Sequence, residues 1–333
     1  MLPWNVFCCP QCRGAMTSAS SEYRCVACGR EYPVVCGIPD FRLAEDPYIS
    51  FDDEYKKARL LEEQAGGMSF EKLVRFYWEI TPDVARPAAE RYILYALNGE
   101  ARGNAFLEEL DDYAGGRCTG QAALEIGCGT GGFLLAAHPR FRALLGADIA
   151  LRWLVIAKKR LADIGSPVIL VCCSAEHLPF PHGLFDCVTG IHILEHTKNQ
   201  QAVLSETART LKPNGVCFLS TPNRFSLGPE PCIRVWGVGF VPRSLAEAYV
   251  GLIKGIPYKH IRLLSFFELR RLLGRSGLRE WLISAPRIAD CEQKLVSKYA
   301  RALIVVYHML RRIPLCSFAL RLVGPYLQVT GRK

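Results

Sequence analysis

The sequence has little of what a secreted or membrane-spanning chain needs. Its first residues lack a basic segment followed by an apolar run and a cleavage site, and no window along the 333 residues reaches the apolar length of a membrane span. We therefore expect a cytoplasmic protein. Wholesale disorder is also excluded, because half of the residues are hydrophobic and suffice for a packed core. The length allows two domains, or one large domain with an appendage.

Fifteen cysteines occur in this chain, and in the cytoplasm we expect thiols and metal ligands rather than disulfides. Two CxxC pairs stand out, with twelve residues between them: Cys9, Cys12, Cys25 and Cys28. Each pair can present two thiolates to one tetrahedral ion, and the residues between the pairs can form a short hairpin. The spacing predicts a structural zinc site, with Cys8 as a substitute for Cys9 and Cys36 outside the pattern.

A glycine-rich turn follows a short apolar strand near the middle of the chain, where residues 122–132 read AALEIGCGTGG. The backbone is left open at the carboxyl end of that strand by Gly127, Gly129 and Gly131. The helix that begins next offers free N–H groups to a bound group. One strand and helix later, Asp148 ends a second apolar strand, where a carboxylate either accepts the hydroxyls of a ribose or caps the following helix. The glycine turn and the carboxylate at the end of the next strand, taken together, favour nucleotide binding.

Further segments extend this pattern in order over residues 120 to 223. Residues 124–131, LEIGCGTG, resemble motif I of the class I S-adenosylmethionine-dependent methyltransferases. Segments similar to the family's "LPF…FDvV", "vLEH", "LkPGG" and "stPN" follow at 177–180, 185–188, 193–196, 211–215 and 220–223. The last of these is typical of the branch that includes the ubiquinone-type O-methyltransferases. The resemblance implies a Rossmann-like sheet with helices on both faces.

The cysteine-rich start has a resemblance of its own. Residues 25–41, CVACGREYPVVCGIPDF, are similar to a small zinc-ribbon family whose members activate tRNA and translation-factor methyltransferases as separate subunits. Here the ribbon is joined in cis to the catalytic segment. A closed four-thiolate site has no open coordination position, so we expect it to serve folding or docking rather than chemistry.

Strands alternate with helices from residue 120 onward, which predicts an α/β fold with a parallel sheet and crossover connections. The expected parts are a zinc ribbon at 1–45, a helical linker or cap at 46–118, the S-adenosylmethionine-binding domain at 119–285 with a substrate lid at 222–263, and basic apolar helices at 286–333. Strands are predicted near 122–127, 143–148, 167–173, 185–190, 215–220 and 278–284. The helices before the first strand either close over the cofactor or form a packing layer, and Tyr55, Tyr77 and Trp78 are equal candidates for a cofactor contact.

The resemblance implies roles for the residues at the strand ends. The methionine part of S-adenosylmethionine would lie against the turn formed by Gly127, Cys128, Gly129 and Gly131. Glu125 would orient the ammonium, and Asp148 would hold the ribose. Much of the family has an aspartate for the adenine amino group where this chain has Ser174, followed by Ala175, and a hydroxyl accepts a weaker hydrogen bond than a carboxylate.

Methyl transfer from a sulfonium depends mainly on positioning, and a base is needed only for an acceptor such as a hydroxyl. His196 and His192 follow the fourth strand, and His196 is the first candidate for the base, with a structural role as the alternative. Ubiquinone-type relatives carry "ExxEH" here and are thought to bind a divalent ion through it. This chain has His192 in place of the first acid, so the resemblance leaves open whether a divalent ion binds near His196.

The segment 222–260 is long and rich in glycine, proline and aromatic residues, which suits an acceptor-binding lid. Arg224 and Arg243 are candidates for holding an anionic acceptor, although both could instead be solvated or pair locally. Trp236 is a further candidate for binding the substrate. Residues 254–333 contain sixteen lysines and arginines against four acidic residues. Apolar runs bordered by arginine suit a helix on an anionic membrane surface, a core helix with a basic rim or, less well, nucleic-acid binding.

Three functions follow from these features. The favoured one is an S-adenosylmethionine-dependent methyltransferase that O-methylates a small-molecule or lipid-linked acceptor, in the cytoplasm and peripheral to the membrane. The second is an rRNA or tRNA methyltransferase that uses its zinc ribbon for substrate recognition, although such zinc sites usually include a histidine. The third is an inactive S-adenosylmethionine-binding protein. The intact glycines and Asp148 argue against the third function, while Ser174 leaves room for it.

Overall fold

The computed structural model describes residues 6–82, 84–162, 165, 168–288 and 298–333. The chain consists of two compact units, Met1–Val188 and Thr189–Lys333. The boundary falls inside the strand Phe185–Ile191, so each unit contains part of this strand.

The first unit begins with a small antiparallel sheet, the ribbon sheet. Its strands lie in the order of the chain: β1 (Met16–Ser18), β2 (Glu22–Cys25), β3 (Glu31–Val35) and β4 (Ile38–Pro39). Gly29 and Gly37 both have a φ of +72°, which suits the tight turns that join β2 to β3 and β3 to β4. The hairpins bring the two CxxC pairs together, as their spacing predicts.

The next part of the first unit is helical, as predicted. The helices are α1 (Phe51–Ala65), α2 (Phe70–Glu79), α3 (Arg86–Leu97) and α4 (Gly99–Ala114). Ser50 and Ser69 cap α1 and α2, since each side chain accepts a hydrogen bond from a backbone N–H of the first turn. Pro87 lies in the first turn of α3, and α4 ends at Gly115 with a φ of +72°.

The first unit also contains the predicted alternation of strands and helices. Its elements are β5 (Gly120–Ile126), α5 (Gly132–Ala137), β6 (Phe141–Asp148), α6 (Leu151–Ala162), β7 (Val168–Cys172) and the first part of β8 (Phe185–Ile191). The strand order is β8-β5-β6-β7, with β6 parallel to both β5 and β7. Residues 122–126 of β5 are all buried, as expected of an inner strand that is covered on both faces.

Helix α4 lies very close to α5, the helix that follows the glycine turn. A Cβ on Gly132 would come within 2.6 Å of Gly99 Cα, and one on Gly103 within 2.8 Å of Phe133 Cα. The two backbones therefore approach at glycines, which leave room for no side chain. This contact gives α4 the packing role that was one of the two alternatives for the region before the first strand.

Buried ion pairs fix the segments around the end of β6. In α6, the Arg152 backbone N–H donates to Glu54 of α1 at 2.7 Å, and the guanidinium pairs with the same buried carboxylate. Arg42 pairs with Asp40 and donates to the Ile149 carbonyl at 3.2 Å. Removing one partner would leave a buried charge unpaired, which is strongly destabilising.

The ribbon sheet is docked on the loop that follows β7. The Phe7 ring centroid lies 5.8 Å from that of Phe180. The Cys8 N–H donates to the Pro179 carbonyl at 2.9 Å, and the Arg13 guanidinium donates to the Leu178 carbonyl at 2.5 Å. The ribbon therefore holds the backbone of this loop as well as packing on it.

The second unit contains the rest of β8 and further strands in the order β10-β11-β9-β8. These strands are β9 (Leu211–Pro222), β10 (Glu280–Ser284) and β11 (Tyr326–Arg332). The helices are α7 (Gln200–Thr210), α8 (Arg243–Lys254), α9 (Phe266–Leu273), α10 (Lys298–Arg312) and α11 (Pro314–Val323), with short 3-10 turns at Leu194–His196 and Val238–Phe240.

The end of the chain departs from the prediction. The sequence predicts helices over 286–333 and a last strand at 278–284, whereas Tyr326–Arg332 forms β11, antiparallel to both β9 and β10. The sheet is therefore mixed: β5, β6 and β7 are parallel as predicted, and the unpredicted β11 is antiparallel to its neighbours. Gln328 and Thr330 are as buried as their apolar neighbours, so the strand lacks a clear alternation of apolar and polar residues. The described parts of 298–323 are helical, as predicted.

Among the described residues, no single helix is long and apolar enough to cross a membrane. Helices α10 and α11 have that length and composition only when taken together, and the two are bent by 120° where they join.

Candidate active site and metal centre

The glycine turn after β5 is pinned to the end of β6 by backbone hydrogen bonds. The Gly127 N–H donates to the Ala147 carbonyl at 2.7 Å, and the Gly129 N–H donates to the Asp148 carboxylate at 2.8 Å. The φ angles of Gly127, Gly129 and Gly131 are +70°, +48° and +73°. A residue with a Cβ would be strained at each of these positions.

The glycines of the turn face different surroundings. A Cβ on Gly129 would meet no protein atom within 4 Å, whereas one on Gly131 would lie 3.3 Å from Ala157 Cβ and 3.4 Å from Leu161 Cδ1. Gly129 therefore opens onto free space, and Gly131 lets α5 pack on α6. The Cys128 side chain is buried, so only its backbone is available to a ligand.

Glu125, the residue before the last of β5, is a buried carboxylate with an exposed fraction of 6%. Its Oε2 atom has no hydrogen-bond partner among the described residues. Burial, and secondly the charge of Asp148, raise the pKa of Glu125 well above its ordinary value. An unpaired buried carboxylate oxygen indicates a missing donor or cation, and the ammonium of a bound amino acid group fits this requirement.

Asp148 combines two functions in the turn. Its Oδ2 accepts the Gly129 N–H, and its Oδ1 accepts the N–H of Ala150 at the start of α6, also at 2.8 Å. The helix-capping alternative is thus present in the structure. Each carboxylate oxygen keeps a further lone pair, so the group can still accept the hydroxyls of a sugar. Burial raises the pKa of Asp148, against the lowering effect of its two backbone donors.

Ser174 lies just after β7, in a segment held beside Asp148. The Cys173 N–H donates to the Asp148 carbonyl at 2.9 Å, and the Ser174 hydroxyl accepts the Glu176 N–H at 3.2 Å. Ser174 and Ala175 are both half-buried. The serine is therefore part of a local turn, and its hydroxyl proton is free to be donated elsewhere.

In the second unit, His192 and His196 flank the carboxylate of Glu195. His192 Nδ1 lies 3.6 Å and His196 Nε2 lies 4.0 Å from Glu195 Oε1. Glu195 is fully buried, and its Oε2 accepts the Thr221 hydroxyl at 3.0 Å. His192 has a φ of +57°, and its backbone N–H donates to the Ser220 carbonyl at 3.0 Å. The backbone is thus held in an uncommon conformation next to a fixed carboxylate.

Two carboxylates of the second unit escaped the sequence prediction. Glu195 is part of the ILEH segment, but only its histidine neighbours were proposed as functional. Glu230 is 4% exposed, and its Oε1 has no hydrogen-bond partner among the described residues. Burial raises the pKa of Glu230, and the charge of Glu195 adds to the shift. The position of Glu195 between two histidines could have indicated its role. No sequence pattern indicates a role for Glu230, because an acid between two prolines suggests an exposed turn.

The two proposed acceptor arginines lie together, and the proposed tryptophan does not join them. Arg224 and Arg243 both line a pocket of about 550 Å³ in the second unit. Both arginines also pair with Glu268, at 3.8 Å and 2.7 Å, so the local-pairing alternative is partly correct. Trp236 lies outside the pocket lining, is 61% exposed and donates its indole N–H to the Leu227 carbonyl at 2.9 Å.

The four cysteines of the CxxC pairs converge, which confirms this prediction. The sulfur ligand atoms of Cys9, Cys12, Cys25 and Cys28 all lie within 4.8 Å of one another. The Sγ atoms are 3.8 Å apart in the pair Cys9–Cys28 and 3.5 Å apart in the pair Cys12–Cys25. Tetrahedral zinc with bonds of about 2.3 Å requires sulfurs about 3.8 Å apart, so the thiolates fit zinc. Cys8 and Cys36 are not members of this cluster.

Across the described residues, this cysteine cluster is the group whose side chains converge closely enough to hold a metal ion. Glu195 and the two histidines are not such a group.

Residues 124–219 match the model of a family described as "Methyltransferase domain". This part of the chain is therefore similar to a methyltransferase domain. The chain is also similar to curated proteins named "Ubiquinone biosynthesis O-methyltransferase". The protein from Idiomarina loihiensis is 29% identical over 166 residues, which cover 50% of this chain and 64% of the relative. That from Dechloromonas aromatica is 38% identical over 109 residues, which cover 32% and 46%. The chain thus spans less than two thirds of the length of these relatives.

Solved structures give weaker likenesses. Phosphoethanolamine N-methyltransferase 2 of Haemonchus contortus, in complex with S-adenosyl-L-methionine, aligns with a TM-score of 0.47 at 18% identity. The alignment covers 70% of this chain and 52% of that chain. A score of this size supports no conclusion about function. The assignment of the methyltransferase domain rests on the family match and the curated relatives.

Replacing Cys12 by serine should remove about one zinc ion per chain, because three thiolates no longer close the tetrahedral site. The loss should also lower the thermal midpoint, since metal binding stabilises the ribbon. Metal content by mass spectrometry and thermal unfolding would measure both effects. Cys36→Ser is the matched control and should change neither. Equal zinc content in wild type and Cys12→Ser would contradict the site.

Replacing Glu125 by glutamine should stabilise the ligand-free methyltransferase domain at neutral pH. Because the pKa of Glu125 is raised in the folded chain, ionisation opposes folding as the pH rises from the ordinary value of 4.5 toward the raised value. Urea unfolding at about pH 8 should show a gain on the order of 1 kcal/mol, which shrinks toward about pH 4. The exposed Glu108→Gln should show no such trend. A destabilised Glu125→Gln variant would contradict the unpaired carboxylate.

Proposed function

We propose that the chain is an S-adenosylmethionine-dependent methyltransferase that transfers a methyl group to an oxygen of a small-molecule or lipid-linked acceptor. One observation carries the proposal: among the described residues, nothing fills the space beside Gly129 after β5, and the Oε2 of Glu125 near the same strand end has no hydrogen-bond partner. The family match of residues 124–219 supports methyl transfer. The name of the curated relatives supports oxygen as the acceptor atom.

The cofactor-binding residues are those that surround the glycine turn. The backbone of Gly127, Cys128 and Gly129 receives the methionine part, with Glu125 next to its ammonium. Asp148 accepts the ribose hydroxyls through its remaining lone pairs. The adenine lies against the turn that follows β7, which is formed by Ser174 and Ala175. When bound, the sulfonium supplies an electrophilic methyl group together with a neutral leaving group.

A hydroxyl acceptor needs a base, and we rank His192 before His196 for this role. The His192 Nδ1 is the nearer of the two to Glu195 Oε1, at 3.6 Å against 4.0 Å. The fixed carboxylate of Glu195 would orient the imidazole ring of His192. Glu195 acts through the histidine and is therefore a positioning residue.

The acceptor is held by the second unit. Arg224 and Arg243 bind its anionic part in the pocket that both line. Trp236 and Phe240 have ring centroids 6.3 Å apart and are more than 40% exposed, so they suit contact with an apolar part of the acceptor. The segment 222–263 then serves as the substrate lid of a domain at 119–285, between a helical cap at 46–118 and the helices after 286.

The protein is cytoplasmic and touches an anionic membrane surface through α10 and α11. Leu303 is 70% exposed and Leu315 is 79% exposed, and the exposed arginines Arg301 and Arg312 lie close to them in the chain. Apolar side chains that reach into the headgroup region, together with arginines that meet anionic lipids, are typical of interfacial helices.

Glutamates at both Leu303 and Leu315 should weaken co-sedimentation with phosphatidylglycerol vesicles by roughly tenfold or more, because each buried leucine is worth about 2 kcal/mol. Leu252→Glu on α8 is the matched control, since this leucine is 88% exposed but lies on another helix. Unchanged sedimentation of the double variant would remove membrane contact from the proposal.

Gly129→Leu should abolish binding of S-adenosylhomocysteine, with a loss of at least about a hundredfold, because its side chain would fill the space that the ligand needs. Gly115→Leu is a close control. Gly115 also has a positive φ, and a Cβ there also meets nothing within 4 Å, but it ends α4 away from the turn. Isothermal titration calorimetry should show intact binding for Gly115→Leu. Retained binding in Gly129→Leu would contradict the cofactor site.

Incubating the enzyme with radiolabelled S-adenosylmethionine and cell extract tests the reaction itself. The label should enter the small-molecule or lipid fraction. His192→Asn should lower the rate by roughly a hundredfold or more while leaving S-adenosylhomocysteine binding intact. Label in RNA would favour the RNA methyltransferase alternative. Intact cofactor binding without any labelled product would favour the inactive binding protein.

A further inference from the structure

The pocket of about 550 Å³ in the second unit contains more positive charge than the acceptor arginines alone provide. Its lining includes four basic side chains, Arg224, Arg243, Lys259 and Arg262, but a single carboxylate, that of Glu247. A cavity lined mainly by one sign of charge concentrates ligands of the opposite sign. The pocket therefore favours an anion.

The nearby acids do not neutralise this charge. Glu247 pairs with Lys259 at 3.6 Å, on the solvent-exposed side of the pocket. Glu268 is shared between Arg224 and Arg243, so one carboxylate faces two guanidiniums. Burial, and secondly the charge of Arg243, lower the pKa of Arg224, as expected where positive charge is in excess. Within the described part of the chain, no ion pair involves Arg262.

The pocket is built on a packed base, which holds its charged groups in place. Val238 and Tyr258 line the pocket and belong to a small buried cluster with Val235 and Val250. The Arg224 Nε–H donates to the Gly239 carbonyl at 3.0 Å. A Cβ on Gly239 would overlap the Arg224 carbonyl, so the wall can approach this arginine only at a glycine.

One side of the pocket is apolar. Val238, Val241 and Ile261 line it together with the basic residues. The first turn of α8 lines it too, and the N-terminus of a helix adds partial positive charge. A ligand that suits this lining has an oxyanion at one end and a hydrocarbon part at the other.

We propose that this pocket binds a phosphate-type oxyanion, carried as an ester by the acceptor of the methyl group. Guanidiniums match the oxygens of phosphate in pairs, and an ammonium adds a point charge. A doubly charged phosphate ester uses the excess of cations better than a single carboxylate does. The identity of the acceptor rests on the proposed function, whereas binding of the oxyanion does not.

Titration calorimetry of the full-length chain with inorganic phosphate and with hexyl phosphate tests the pocket. Both should bind, and Arg262→Gln and Lys259→Gln should each weaken binding roughly tenfold, the worth of one charge-assisted contact. Arg275→Gln is the matched control, because Arg275 is exposed and lies outside the pocket lining. Tighter binding of hexyl phosphate would identify a phosphate ester, and equal binding would identify free phosphate and overturn the ester.

Failure of this inference is distinguishable from failure of the proposed function. S-adenosylhomocysteine binding, measured in the same variants, should stay unchanged. No heat of binding with either phosphate probe, or an equal loss in Arg275→Gln, would overturn the oxyanion site even if cofactor binding is intact. Absent cofactor binding with intact phosphate binding would instead overturn the methyltransferase function and leave the pocket standing.

Discussion

The candidate cofactor site depends on the carboxylate of Asp148, which accepts hydrogen bonds from two backbone N–H groups. One oxygen holds Gly129 of the glycine turn, and the other holds Ala150 at the start of α6. This pair of hydrogen bonds connects the ends of β5 and β6, so the turn cannot shift without breaking the start of α6. The left-handed conformation of the three glycines is thereby held in place.

Two further carboxylates of the chain are buried without a hydrogen-bond partner, among the described residues, for one of their oxygens. Glu125 in the first unit and Glu230 in the second are buried, and each has an oxygen without a partner among the described residues. Burial of such groups opposes folding unless a donor or a cation arrives. In the first unit, the segments around β6 are held together by the ion pairs Arg152–Glu54 and Arg42–Asp40. The residues in these structural contacts are not those with unpaired carboxylate oxygens.

Local signals in the sequence were sufficient for much of this architecture. The two CxxC pairs and the glycine turn depend on spacing within a few residues, and the cysteine cluster and the turn at Gly129 both form as predicted. Strands β5 and β6 are recognisable because both are inner strands with long apolar runs. The helix-capping role of Asp148 was one of two stated alternatives, and the structure contains it.

The features that escaped prediction depend on contacts between distant parts of the chain. Strand β11 contains buried Gln328 and Thr330, so its sequence does not show the apolar pattern by which a buried strand is recognised. Glu230 is buried, although the prolines on either side of it predict an exposed turn. The sharing of Glu268 between Arg224 and Arg243 joins three separate elements. Such pairings are set by tertiary packing, about which local spacing carries no information.

The position of β11 has a consequence for biosynthesis. β10 reaches the sheet only through β11, which pairs with Glu280–Ser284 on one side and with β9 on the other. Residues 280–284 therefore leave the ribosome well before their pairing strand has been translated. Until then the edge of β9 stays open, and such an edge can pair with other nascent chains. This part of the sheet can therefore form only after residues 326–332 have been translated.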